Sequence, residues 1–269
     1  MVKKLCKYEF FSYIKTMLPM YIVLIGIALI NRFIQIFEAE KQSYKIFFIS
    51  SVVFLVIAMI TCIIMTYVLS VTRFYKNMFT NEGYLTMTLP VTPFEHIVSK
   101  LLISMVFVAF SIVAVIVAGV VALSGEALIE VWKAAMYFVK ETYKVFGFET
   151  VIYALEGIIA LVLALAASIL LFYACCSVGQ LAKKNRIWLA VGVYFGYYAV
   201  CQLIGTVFII LGFLFDEMGI MADIENFIIE HLKLSIHIGA LTVIVISAAL
   251  GAVYMLVSHA IIRKKLNIE

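Results

Sequence analysis

Residues 73–100 read RFYKNMFTNEGYLTMTLPVTPFEHIVSK, a polar segment set between two long apolar runs. Read as a helix, 73–81 puts Arg73, Lys76, Asn77, Thr80 and Asn81 on one side and Phe74, Tyr75, Met78 and Phe79 on the other. That pattern predicts an amphipathic surface helix. Gly83 interrupts it, because glycine costs helix stability and permits backbone angles that other residues resist. Residues 84–91 alternate loosely and run into Pro90, which favours extended chain. A new helix is expected at Thr92, with Thr92 as cap, Pro93 at the first helical position and Glu95 closing a capping box. Composition leaves a second reading of 74–79, as the preceding apolar helix leaving lipid with one face resting on headgroups.

The apolar runs on either side set the class. The chain has 269 residues, 65% of them hydrophobic and 13% charged, and a mean hydropathy of +1.14. Soluble domains carry roughly 25% charged residues, so an all-α integral membrane protein is expected. A span needs about 20 residues, which gives room for six spans in a single transmembrane domain over 1–269. The expected spans are 17–37, 46–71, 101–123, 152–181, 187–215 and 234–262. Cys6, Cys62, Cys175, Cys176 and Cys201 lie in apolar runs or near the basic amino terminus. They offer no zinc spacing or disulfide framework and read as small membrane-buried hydrophobes.

Several segments fall outside the spans. The amino-terminal arm VKKLCKYEFFSYIK is basic and aromatic and suits the lipid–water boundary. The 125–150 segment is long enough to cross, but Glu126, Glu130, Lys133, Lys140, Glu141 and Lys144 share an arc of roughly 100° at helical period. It is therefore expected to lie on the membrane surface, with Trp132 and Tyr137 at the interface. Gly205 and Gly212 could let the fifth run turn back before crossing. Asp223 is a plausible cap for a short amphipathic helix carrying Ile224, Phe227, Ile228 and Leu232.

Orientation follows from the cations. One side receives Lys3, Lys4, Lys7, Lys15, Arg73, Lys76, Lys100, Lys183, Lys184, Arg186, Arg263, Lys264 and Lys265, and the other only Arg32, Lys41, Lys45, Lys133, Lys140, Lys144 and Lys233. The positive-inside rule makes the first side cytoplasmic, so both termini and 73–100 face the cytoplasm of a multi-pass plasma-membrane protein. The 125–150 and 216–233 segments then face outside.

Motifs for chemistry are missing. No glycine precedes a lysine, which excludes the phosphate loop, and neither G-x-S nor H-E-x-x-H occurs. The only aspartates, Asp216 and Asp223, lie together in a loop, so no intramembrane aspartyl dyad forms. No metal site, bound cofactor or nucleic-acid partner is expected. Glu156 is the one carboxylate inside a span. It reads either as an interfacial residue, with Arg32 as possible partner, or as the lining of a substrate or proton path. His237 and His259, near opposite ends of the last span, read as interfacial or packed imidazoles.

The segment RFYKNMFTNEGYLTMTLPVTPFEHIVSKLL resembles the first cytoplasmic loop of bacterial ABC-2 type transporter permeases. It shares an aromatic-basic start, a Glu-Gly-Tyr turn, a Thr-Leu-Pro and a Ser or Thr beginning the third span. The resemblance implies a permease subunit of an ATP-binding cassette exporter that forms the substrate pathway as a dimer with a second permease chain. A separate cytoplasmic ABC ATPase subunit would hold ATP and Mg, and this chain would not itself be an enzyme. It further implies an ATPase-coupling loop made of Lys76, Phe79, Glu82, Gly83, Tyr84 and Leu85. The alternative from the residues themselves is an ion-coupled secondary transporter using Glu156.

Overall fold

The computed structural model describes residues 2–36, 42–80, 83, 91–123, 125–182 and 184–264. Its helices are α1 (Val2–Ile36), α2 (Gln42–Phe79), α3 (Pro93–Ala122), α4 (Gly125–Phe146), α5 (Glu149–Gly179), α6 (Arg186–Glu217), α7 (Ile220–Glu230) and α8 (Leu232–Lys264). No strand occurs among the described residues. Six of the helices, α1, α2, α3, α5, α6 and α8, are long and apolar enough to cross a membrane. They are the six runs expected from the sequence. The chain is therefore an all-α, multi-pass membrane protein.

The helices outrun the apolar windows that define them, at 30 to 38 residues each. About 20 residues already cross the hydrocarbon, so the remaining turns project into the interfaces or are taken up by tilt. Two boundaries move in consequence. The basic amino-terminal arm is not a separate interfacial element, because α1 runs unbroken from Val2 and carries Pro19 within it. Likewise 73–79 forms the last two turns of α2 rather than a helix of its own.

Elsewhere the ends are set by local chemistry. The capping box at Thr92 forms as expected: its hydroxyl accepts from the Glu95 amide at 3.3 Å, and Glu95 Oε2 accepts from the Thr92 amide at 2.9 Å. Gly147 and Gly219 adopt left-handed backbone angles, φ 60° and 74°, and so stop α4 and α6. That changes the expectation for 216–233. Gly219, not Asp223, caps α7, and Leu232 opens α8 instead of closing α7. The fifth run does not turn back at Gly205 or Gly212, since α6 is continuous through both.

The helices group into two compact units. The first holds α1, α2 as far as Lys76, α3 and α4 as far as Thr142; the second holds the end of α2 and everything from Tyr143 onward.

In the first unit the inward stripe of each helix can be read at helical period. Along α1 it runs Tyr13, Met17, Leu24, Ala28, Asn31, and along α3 Ile103, Phe107, Ala114, Ala118, Ala122, all buried. Small alanines let α1 and α3 approach closely, which is how helices gain packing where lipid supplies no hydrophobic drive. Polar side chains are interleaved in layers. Tyr13, Ser70 and Ser104 hydrogen-bond together, with Tyr13 Oη 3.0 Å and Ser70 Oγ 2.6 Å from Ser104 Oγ. A second layer joins Tyr21 and Thr66 to Ser111 at 2.8 and 2.6 Å. A third ties Asn31 to Ser51 at 2.9 Å. In hydrocarbon each such group needs a partner, so the layers fix rotation and register of the three helices.

In the second unit α5 packs along α8, and at Gly251 the fit would admit a Cβ, which would lie 3.8 Å from Ala167 Cβ and from Leu170 Cδ1, an ordinary contact distance. The α5–α6 corner is tighter. A Cβ on Gly179 would lie 2.7 Å from the Arg186 carbonyl oxygen and 2.8 Å from Ala190 Cβ. Tyr254 donates to Tyr197 across α8 and α6 at 2.6 Å. No residue of α6 is fully buried, and its outward face is left for lipid or another chain.

Candidate functional site

The residues expected to form a coupling loop begin on the last turn of α2. Lys76 is exposed there, while Phe74, Met78 and Phe79 are buried. Gly83 is buried with helical backbone, and its amide donates to the Thr80 carbonyl at 2.6 Å. The reason for a glycine differs from the one expected: its φ is not left-handed, but a Cβ would sit 2.7 Å from the Met78 carbonyl oxygen. Space, not backbone freedom, requires glycine here. Glu82, Tyr84 and Leu85 lie outside the described residues.

One turn before Lys76 stands a feature that reading for surface amphipathicity missed. Arg73, expected on the solvent side, turns inward and meets α1. Its Nη2 donates to the Ser12 carbonyl at 2.6 Å, its Nη1 lies 3.8 Å from Glu9 Oε2, and its guanidinium sits 4.6 Å above the Tyr13 ring. Lys100 of α3 donates to the other oxygen of Glu9 and is only 4% exposed. Three helices thus converge on one carboxylate. Inside a low-dielectric bundle the Glu9 charge helps to make one buried cation, Lys100, and one half-buried cation, Arg73, tolerable. The signal was present: Glu9 and Tyr13 on α1, Ser70 and Arg73 on α2, and Lys100 and Ser104 on α3 are each three or four residues apart, hence on one face.

Glu156 occupies a different cluster, between α5 and α8. Its Oε1 is 2.8 Å from His237 Nδ1, and its Oε2 is buried without a hydrogen-bond partner among the described residues. Arg32 bonds to Gln35 one turn along its own helix, at 3.3 Å. Tyr153 packs its ring on His237 at 4.7 Å and directs its hydroxyl to Glu149 at 3.2 Å, and Glu149 in turn pairs with Lys233 at 3.3 Å. The α5–α8 register thus lines up two acids, a lysine, a histidine and a tyrosine at one end of the pair. Chemically the arrangement can hold a proton between a carboxylate and an imidazole, with one carboxylate oxygen left over. His259 is remote from this group in sequence and lies near the other end of α8. No group of three or more metal-ligating side chains occurs among the described residues.

No family model, curated protein or solved structure matches the chain.

Proposed function

We propose that the chain is the membrane-spanning permease subunit of an ATP-driven exporter, working as a dimer and moved by a separate cytoplasmic ATPase. The observation that carries this reading is the unbroken course of α2 from its apolar stretch to Phe79, followed by the close-packed Gly83 and the capped restart at Thr92. A loop that must accept a push needs a stiff connection to the spans. A helix supplies one, at about 1.5 Å per residue with no hinge between its ends. The Glu9–Arg73–Lys100 cluster stands where such a push would pass from α2 into α1 and α3. ATP and Mg would be held by the partner, in keeping with a sequence that has no phosphate loop.

The test is copurification. An ATPase should be retained with the tagged chain in mild detergent and lost on Glu82→Ala or Tyr84→Ala, with the permease fold intact by circular dichroism. Full transport by the purified chain alone in liposomes would end this reading.

A second reading is favoured by the Glu156–His237 pair: an ion-coupled transporter in which the pair takes up and releases a proton. Here Glu156→Gln should abolish gradient-driven uptake without any ATPase. Uptake that survives the substitution removes this alternative.

A further inference from the structure

A cavity of about 1010 Å³ opens in the first unit at the end of α1, α2 and α3 remote from Glu9. Its polar wall is built and mostly satisfied from within. Gln35 Nε2 donates to the Ala122 carbonyl at 2.6 Å and to Asn31 Oδ1 at 3.1 Å, and Asn31, 2% exposed, donates to Ser51. Among the described residues Arg32 is held by a single hydrogen bond, to Gln35. Glu126 lines the same cavity from the start of α4, yet no ion pair joins it to Arg32. The floor is apolar, made by Phe48, Val52, Leu55 and Gly119.

We propose that this cavity binds a zwitterionic amphiphile, an ammonium-bearing phospholipid. Opposite charges that face one space without meeting leave room for a ligand that carries both. The planar fork of Arg32 suits a phosphate, which it can hold through two parallel hydrogen bonds. Glu126 accepts hydrogen bonds from a primary ammonium. A quaternary ammonium has no proton to donate and an uncharged glycerol has no charge to match, so either should bind less well. The apolar floor takes the first part of the acyl chain, and the position at the ends of apolar helices is the depth of a headgroup. The site stands independently of the transport reading.

Native mass spectrometry of the detergent-purified chain tests this with three probes of equal chain length: lysophosphatidylethanolamine, lysophosphatidylcholine and lysophosphatidylglycerol. The first should bind saturably, one per chain, about tenfold more tightly than the other two, the margin expected of one charge-assisted hydrogen-bond partner. Glu126→Gln, at an exposed rim position, should erase that preference while leaving the fold intact by circular dichroism. Arg32→Gln should weaken all three, and Gly119→Leu, which fills the floor, should do the same without changing any charge. Equal or unsaturable binding of the three probes by the wild-type chain overturns the proposal. So does a preference that persists in Glu126→Gln.

Discussion

At the scale of single residues, close approach and buried charge decide what can be changed. Gly179→Ala drives a Cβ into the Arg186 carbonyl and Ala190, whereas Gly192, also in the second unit, has nothing within 4 Å of its Cβ position. Gly179→Ala should therefore lower the thermal midpoint in detergent, and Gly192→Ala should leave it unchanged or slightly raised. Equal midpoints would show that the α5–α6 corner relaxes freely. Glu9→Gln is expected to cost more, about 3 kcal/mol, because it strips the counter-charge from Lys100 and Arg73 together. Adding Lys100→Met to Glu9→Gln should recover part of the loss, since the buried cation that lost its Glu9 partner then disappears; a double variant no better than the single would refute the charge argument. Among the candidate-site residues the sequence marked Gly83 and Glu156, but for incomplete reasons. The need for glycine at 83 lies in the position of the Met78 carbonyl, and the partner of Glu156 lies 81 residues away. Neither relation has a local signature, because both depend on how separate turns and helices come into register.

At the scale of elements, the long apolar runs were legible because hydrophobicity sustained over about 20 residues has few other uses. The ends were less so. Helix propensity continues past the apolar stretch, and nothing in VKKLCKYEFFSYIK or RFYKNMF breaks it, so α1 and α2 absorb segments that composition alone would set apart. Gly219 was passed over in favour of Asp223 because a side-chain cap is easier to see than a left-handed turn. The start of α3 was legible in full, since Thr92, Pro93 and Glu95 form one contiguous signal. It also gives a measurable expectation. Thr92→Ala should destabilise the chain by about 1 kcal/mol, the usual value of a cap, while Thr92→Ser should be close to neutral. If alanine and serine behave alike in thermal melts, the box contributes nothing to holding α3.

At the scale of the whole chain, everything said about sides rests on which helices cross, and the decisive case is α4. Its 22 residues could span by length, but none is buried, six charges lie along it, and it is not among the six helices apolar enough to cross. If α4 stays on one surface, two crossings, α3 and α5, separate Lys76 from Lys184, and both lie on the same side. If α4 crosses, three crossings intervene and the two lie on opposite sides. Single cysteines at these positions, both exposed, distinguish the cases when read against the background labelling of the five native thiols. With a membrane-impermeant maleimide, Lys76→Cys and Lys184→Cys should react only after the cells are permeabilised, if the side richer in lysine and arginine is the cytoplasmic one, as the positive-inside rule predicts. Tyr137→Cys, 67% exposed in the native side chain, should react in intact cells. Labelling of Lys184→Cys but not Lys76→Cys in intact cells would mean seven crossings and would put one terminus outside. An ATPase could then still reach the end of α2, but the Glu156–His237 end of α5 and α8 would open to the cytoplasm, and in the proton reading an inward gradient would be discharged there. Protection of both lysine positions keeps that cluster on the outer side, where protons enter first in an inward gradient.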